Sequence, residues 1–159
     1  VKFVTAAPST SVSSIVALAS DHAGVALKSM LIPVVESCGF SAMDLGTNST
    51  ASVDYPEYGA QLARTITQGK AQLGIAICGS GIGISIAANR FQGIRAALCH
   101  SGLGAELSRR HNDANILALG ARLIGEAEAI ECVKRFLATG FESGRHQHRI
   151  ELLDKGTFS

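Results

Sequence analysis

The 159-residue sequence predicts a single doubly wound (Rossmann-like) α/β domain, a five-stranded parallel sheet with helices on both faces. Three observations predict it. Short apolar runs alternate along the chain with longer stretches of helical spacing, the pattern of strands joined by crossover helices. Hydrophobic residues make up 47% of the chain and charged ones only 17%, which suits a sheet covered on both sides and a buried subunit interface. Finally, the run Gly74-Ile-Ala-Ile-Cys78 breaks into Gly79, Gly81 and Gly83 and resumes as an alanine-rich helix opening, a strand-loop-helix unit.

Each element has its own signal. Ile15 to Ala19 is a β-type run, and Ser20-Asp21-His22 leads into a helical pattern from about Ala23 to Cys38 that Gly39 stops. Phe40 to Leu45 reads as a weaker second strand, and Gly46 to Asp54 is polar turn material. Pro56 suits the first turn of a helix reaching about Gln68. Leu73 to Ile77 is the third strand, and the helix after the glycine loop runs to about Phe91. Ile94 to Cys99 is the fourth strand, with a helix from about Gly102 to His111, and Ile116 to Leu119 is the fifth. Glu126 to Thr139 carries Ile130, Val133, Phe136 and Leu137 on one helical stripe, and Ser143 to Lys155 makes a last short helix. Residues 1–14, rich in Ser, Thr and Ala, read as a flexible extension before one domain over 15–159.

Composition excludes several functions. A net charge of +1 argues against a nucleic-acid surface, whose affinity comes from clustered Lys and Arg. No run is long and apolar enough for a membrane span. Cys38, Cys78, Cys99 and Cys132 are widely spaced without a Cys-x-x-Cys pair, which suggests neither zinc nor a disulfide framework and matches a reducing cytoplasm.

Ligands of open parallel sheets sit at the carboxyl ends of the strands. That edge collects Asp21-His22, Cys78 with its glycines, Cys99-His100 and the segment after the fifth strand. The glycine loop can be an anion clamp, part of a catalytic centre or a tight turn. It matches neither a Walker loop nor a dinucleotide fingerprint. Cysteines are commonly small buried hydrophobes, the expectation for Cys38, Cys99 and Cys132, whereas Cys78 stands ahead of a helix N-terminus, where a thiolate gains from the helix dipole. Asp21-His22 can simply cap the first helix, and His111-Asn112-Asp113 can be a polar loop. Arg145 and Arg149, four apart, share a helix face that is either solvated or a small anion clamp.

The combination narrows these choices. Asp21-His22-Ala23-Gly24, Asp54-Tyr55-Pro56, Cys78 through Asn89, Arg109 through Asn115, Gly120-Ala121-Arg122 and Gly144 through Arg149 follow one another in order. Over about Ile15 to Lys155 this set closely resembles the ribose-5-phosphate isomerase type B family, which also contains galactose-6-phosphate isomerase subunits. The resemblance implies an aldose-ketose isomerase that needs no metal or cofactor and interconverts ribose 5-phosphate and ribulose 5-phosphate through an enediolate, in the pentose phosphate pathway. Cys78 then matches the base, and His111 the group that opens the sugar ring. The Ser80 hydroxyl and the loop around Gly79, Gly81, Ile82 and Gly83 match the oxyanion and sugar-holding part, where a donor typically contributes about 3 kcal/mol.

By the same resemblance Asp21 and Asn112 touch sugar hydroxyls, and His22, Arg122, Arg145 and Arg149 bind the phosphate. The family shares its sites across a homodimer, with a tetramer as a further state. Ser80 stands where many relatives carry Thr, and Ile84 stands where relatives lacking the cysteine use a glutamate. The chain therefore groups with the cysteine users. Two other readings are an isomerase of a six-carbon sugar phosphate (allose 6-phosphate or galactose 6-phosphate) and a non-catalytic phosphosugar-binding module.

Overall fold

A computed structural model describes residues 13–156. Five strands, β1 (Ile15–Ser20), β2 (Ser41–Asp44), β3 (Leu73–Cys78), β4 (Ala96–Leu98) and β5 (Ile116–Gly120), form one all-parallel sheet in the order β2-β1-β3-β5-β4. The connecting helices are α1 (Val25–Ser37), α2 (Tyr55–Thr67), α3 (Ile82–Asn89), α4 (Gly102–Asn112), α5 (Glu126–Ala138) and α6 (Arg145–Lys155). The expected fold class is the observed one. Of the extension expected over residues 1–14, only Ser13 and Ser14 lie among the described residues, and the Ser14 carbonyl accepts from Ser41 N–H at 3.0 Å beside β2.

Alternation along the strands builds two cores of different grain, because successive side chains point to opposite faces. Val16, Leu18, Ile75, Ile77, Leu117 and Leu119 face Leu27, Leu31 and Val35 of α1 and Ala129, Cys132, Val133 and Phe136 of α5. Ala17, Ala19, Ala76, Cys78, Ile116 and Ala118 face Leu62 and Ala63 of α2 and Ile84 and Ala88 of α3. Mostly small strand residues on that second face let α2 and α3 lie close to the sheet. Cys78 belongs to this face, so its thiol points toward the base of α3.

Two elements differ from their sequence signals. The fourth strand is only Ala96–Leu98, because it pairs on one side with β5 and is an outer strand. The first helix starts with a 3₁₀ turn at His22–Gly24 and becomes α-helical from Val25, continuing through Pro33. Gly24 makes that tight entry possible: a Cβ there would lie 2.7 Å from the Ile77 side chain.

One buried charge ties α1 to the loop after β2. Lys28 is fully buried and donates from Nζ to Asp44 Oδ1 at 2.5 Å and Asn48 Oδ1 at 2.8 Å. The same carboxylate oxygen accepts from Gly46 N–H, and the loop then clasps the end of β1 through Ser20 N–H to Gly46 O and Thr47 N–H to Ser20 O, both 2.8 Å. Removing the counter-charge strands a buried ammonium, which costs about 3–5 kcal/mol when both partners are buried. Asp44 is about a third exposed, so Asp44→Ala is expected to lower the unfolding free energy by about 2 kcal/mol, less than a fully buried pair would lose. Urea denaturation checks it; an unchanged midpoint would show that water serves Lys28 equally well.

Candidate active site

The sheet order places a switch point between β1 and β3, since the chain leaves β1 toward β2 on one side and returns to β3 on the other. Such a crevice, at the carboxyl ends of the strands, is where ligands bind in open α/β sheets. Here it is a cleft of about 540 Å³ lined by Asp21, Tyr55, Cys78, Gly79, Ser80, Ile82, Gly83, Ile86, Arg122 and Leu123. Seven of these residues are ones the sequence proposes. Asp21 both caps and faces the cleft: Oδ1 accepts from Ala23 and Gly24 N–H, and the residue is buried. Its neighbour His22 accepts from Val53 N–H through Nδ1 at 3.2 Å, so in its neutral form the proton sits on Nε2.

Cys78 ends β3 and is 4% exposed, and its Sγ accepts a hydrogen bond from Gly81 N–H at 3.1 Å. Gly81 adopts φ 75°, and a Cβ there would lie 2.6 Å from Leu98 Cδ1 and 2.8 Å from the Leu119 carbonyl carbon. Only glycine turns the chain here while aiming its N–H at the sulfur. Ile82 N–H donates to Ser80 Oγ at 3.2 Å. Two loop N–H groups are thus committed internally. Those of Gly79, Ser80 and Gly83 make no hydrogen bond among the described residues, so the set of free donors is smaller than the whole run expected from sequence.

Arg122 completes this edge. Its N–H donates to Gly79 O at 2.9 Å, and its guanidinium lies over Gly79, with Nη1 3.1 Å from where a Cβ would stand. The Tyr55 ring lies against Gly83 in the same way, 2.5 Å from a Cβ built there. The other thiols lie outside the cleft. Burial raises the Cys99 pKa and pushes that of Cys132 up to about 12, so both stay protonated in the α1–α5 core; Cys38 is half-buried at the end of α1.

His111, Asn112, Arg145 and Arg149 do not join this cleft. Helix α4 runs back against the strand direction and ends at Asn112, four residues before β5 begins, whereas Cys78 pairs with Gly120 at the end of β5. His111 therefore sits at the amino edge of the sheet. It stacks on His146 of α6, ring centroids 4.5 Å apart, with Glu142 between α4 and α6. Arg145 and Arg149 are exposed on α6 and form no ion pair among the described residues. One chain thus carries the proposed residues as two groups at opposite edges.

A family model described as Ribose/Galactose Isomerase matches residues 16–153. The chain belongs to that family. Among its relatives, ribose-5-phosphate isomerase B of Escherichia coli is 44% identical over 138 residues, covering 87% of this chain and 93% of that protein. The solved ribose-5-phosphate isomerase B of Clostridium thermocellum is 42% identical with a TM-score of 0.87, covering 89% of this chain and 95% of that one. The enzyme from Mycoplasma genitalium, solved with bound ribulose 5-phosphate, is 38% identical with a TM-score of 0.85, and covers 89% of this chain and 95% of that one.

Within this ribose/galactose isomerase, tertiary structure adds cleft residues absent from the sequence-based set. Tyr55, Ile86 and Leu123 line the cleft from three separate elements. Tyr55 had one signal, its place beside Pro56 at the opening of α2 within a motif of the resemblance. Ile86 had the same kind of signal, lying within the motif from Cys78 to Asn89, and Leu123 had none, since an exposed apolar residue in a turn is ordinary.

Proposed function

We propose that the chain is an aldose-ketose isomerase acting on ribose 5-phosphate and ribulose 5-phosphate, with Cys78 as the base. The observation that carries this is the Cys78 sulfur, held at a cleft wall by Gly81 N–H, with Asp21 and Arg122 lining the same cleft. A thiolate there removes the proton from C2 of the open-chain aldose, and the C–H electron pair forms the C1=C2 bond of an enediolate. Returning the proton to C1 while the oxygen proton passes from O2 to O1 gives the ketose. The free N–H groups of Gly79, Ser80 and Gly83, with the Ser80 hydroxyl, supply donors for the developing oxyanion. Asp21 holds sugar hydroxyls, and His22 and Arg122 add polar and cationic groups for the phosphate.

The remaining groups come from a second copy. His111, Asn112, Arg145 and Arg149 lie at the far edge of one chain, so a homodimer that sets this edge against the partner's Cys78 cleft completes the site. Ile82, Ile86 and Leu123 support it, being 50%, 59% and 61% exposed around the cleft, an apolar rim suited to a partner surface. In the assembled site His111 opens the furanose by proton transfer, and the two α6 arginines bind the phosphate dianion.

The test is a parallel measurement of kcat/KM on ribose 5-phosphate and on allose and galactose 6-phosphates. The five-carbon substrate is expected to win by at least tenfold. A larger value for a hexose phosphate would move the substrate to the six-carbon class while leaving the chemistry intact. Failure to exchange the C2 proton of any aldose phosphate with solvent would reduce the protein to a phosphosugar-binding module.

A further inference from the structure

The buried Lys28 on α1 holds more than its own counter-charge. Its ammonium donates to Asp44, the last residue of β2, and to Asn48 Oδ1 at 2.8 Å, in the loop over residues 45–54 that leads to α2. A buried ion pair often adds no stability over apolar residues of the same volume. Stability alone therefore does not call for a lysine here, and what the charge fixes is the loop.

That loop ends on a residue of the candidate site. Gly46 O and Thr47 N–H bond to the backbone of Ser20, which precedes Asp21 and His22. Farther on, Val53 N–H donates to His22 Nδ1 at 3.2 Å. Between these points the loop bonds only to itself, through Ser49 N–H to Thr47 Oγ1 at 3.5 Å and Ala51 N–H to Ser49 Oγ at 3.1 Å. Among the described residues, the hydrogen bonds that tie residues 48–54 to the β1–α1 unit are thus two: Asn48 with Lys28, and Val53 with His22. The second is long, and the first secures the segment that carries it.

We infer that Lys28 and Asn48 are positioning residues for His22: by fixing the loop they keep Val53 N–H on Nδ1, which leaves the imidazole proton on Nε2 as the donor to the substrate phosphate. A neutral imidazole has one N–H and one lone pair, and the hydrogen bond at one nitrogen decides which tautomer forms. Release of the loop withdraws Val53, and the ring then divides between tautomers, with its Nε2 donor present only part of the time. The buried charge opposes that release, because the loop cannot leave without stranding the ammonium. An apolar side chain at position 28 would keep α1 packed yet leave the loop free. The link to substrate rests on the proposed role of His22 in binding phosphate, whereas the tautomer does not depend on it.

Imidazole ¹⁵N spectra of the full chain, recorded where histidine is neutral, are expected to show His22 as a single Nε2–H tautomer. In Lys28→Met, which keeps the side-chain length, and in Asn48→Ala, the two ring nitrogens should move toward a common averaged shift. Asn48 is exposed, so its variant folds whatever happens to the buried lysine's. Asn48→Asp retains the acceptor oxygen and should restore the parent spectrum. In Lys28→Met and Asn48→Ala, KM for ribose 5-phosphate should rise about fivefold with kcat within about twofold, as for a contact made equally in ground and transition states. In a His22→Gln background, Lys28→Met should raise KM no further. A parent ring without the single tautomer, an unchanged tautomer in both variants, or a further rise in KM without His22 overturns the proposal. A shifted tautomer with KM unchanged would support the positioning role and overturn His22 as a phosphate-binding group.

Discussion

Replacing Cys78 by alanine is expected to lower kcat by about 10²–10⁴-fold, the range that a positioned acid-base group contributes. The sulfur is 4% exposed, and Gly81 N–H, held by a left-handed glycine, donates to it. The binding groups Asp21 and Arg122 reach the cleft from other elements and do not rest on that sulfur. Affinity for a phosphorylated five-carbon aldonate, measured by calorimetry, should therefore change little. Loss of kcat with retained binding is the mark of an interaction made only on the way to the transition state. Solvent deuterium should also cease to enter C2 of the substrate. Retained turnover in Cys78→Ala would remove the base assignment, and Cys78→Ser, which keeps the size, separates chemistry from packing.

Gly120→Ala is expected to cut kcat by about 10²-fold without touching a reacting group, because displacement of a catalytic group by about 1 Å costs that much. A Cβ on Gly120 would stand 2.5 Å from Ser80 O and 2.6 Å from Ser80 C. These are backbone atoms and cannot rotate away, so the glycine loop must retreat from β5. Its ties to the strand exit, Ala121 N–H to Cys78 O and Arg122 N–H to Gly79 O, both 2.9 Å, would be strained together. The overpacking should also cost about 1–3 kcal/mol of stability. Gly140→Ala is the control, since a Cβ there meets nothing within 4 Å, and both its kcat and its urea midpoint should match the parent chain. Full activity in Gly120→Ala would mean that the loop position is not critical to the chemistry.

Much of the cleft was legible because its parts are local. Asp21 follows β1 and caps the first turn within three residues, and Cys78, Ser80 and the glycines occupy six consecutive positions. Period-two and period-3.6 patterns mark where a strand gives way to a helix, and parallel pairing sends every such junction to one edge. Tyr55 was less legible, since its ring packs on Gly83 across the gap between α2 and α3. Lys28 reads as a polar position of an amphipathic helix, yet the loop after β2 folds over it and buries it with Asp44 and Asn48. Nothing in the spacing of residues 28, 44 and 48 announces that contact.

The sequence by itself determined the parallel α/β architecture, the strand-loop-helix unit at Cys78 and the inventory of polar groups, because hydrophobic period, glycine and capping chemistry act within a few residues. Only the tertiary structure decided how that inventory is divided. Helices run back against their strands, so residues at the start of a helix meet the carboxyl edge and residues at its end meet the opposite one. His111 and Cys78, both parts of one motif set in the sequence, are therefore carried to opposite sides of a single chain. The same reversal sets His111 against His146 of α6, their rings stacked 4.5 Å apart, a contact that no interval in the sequence reveals.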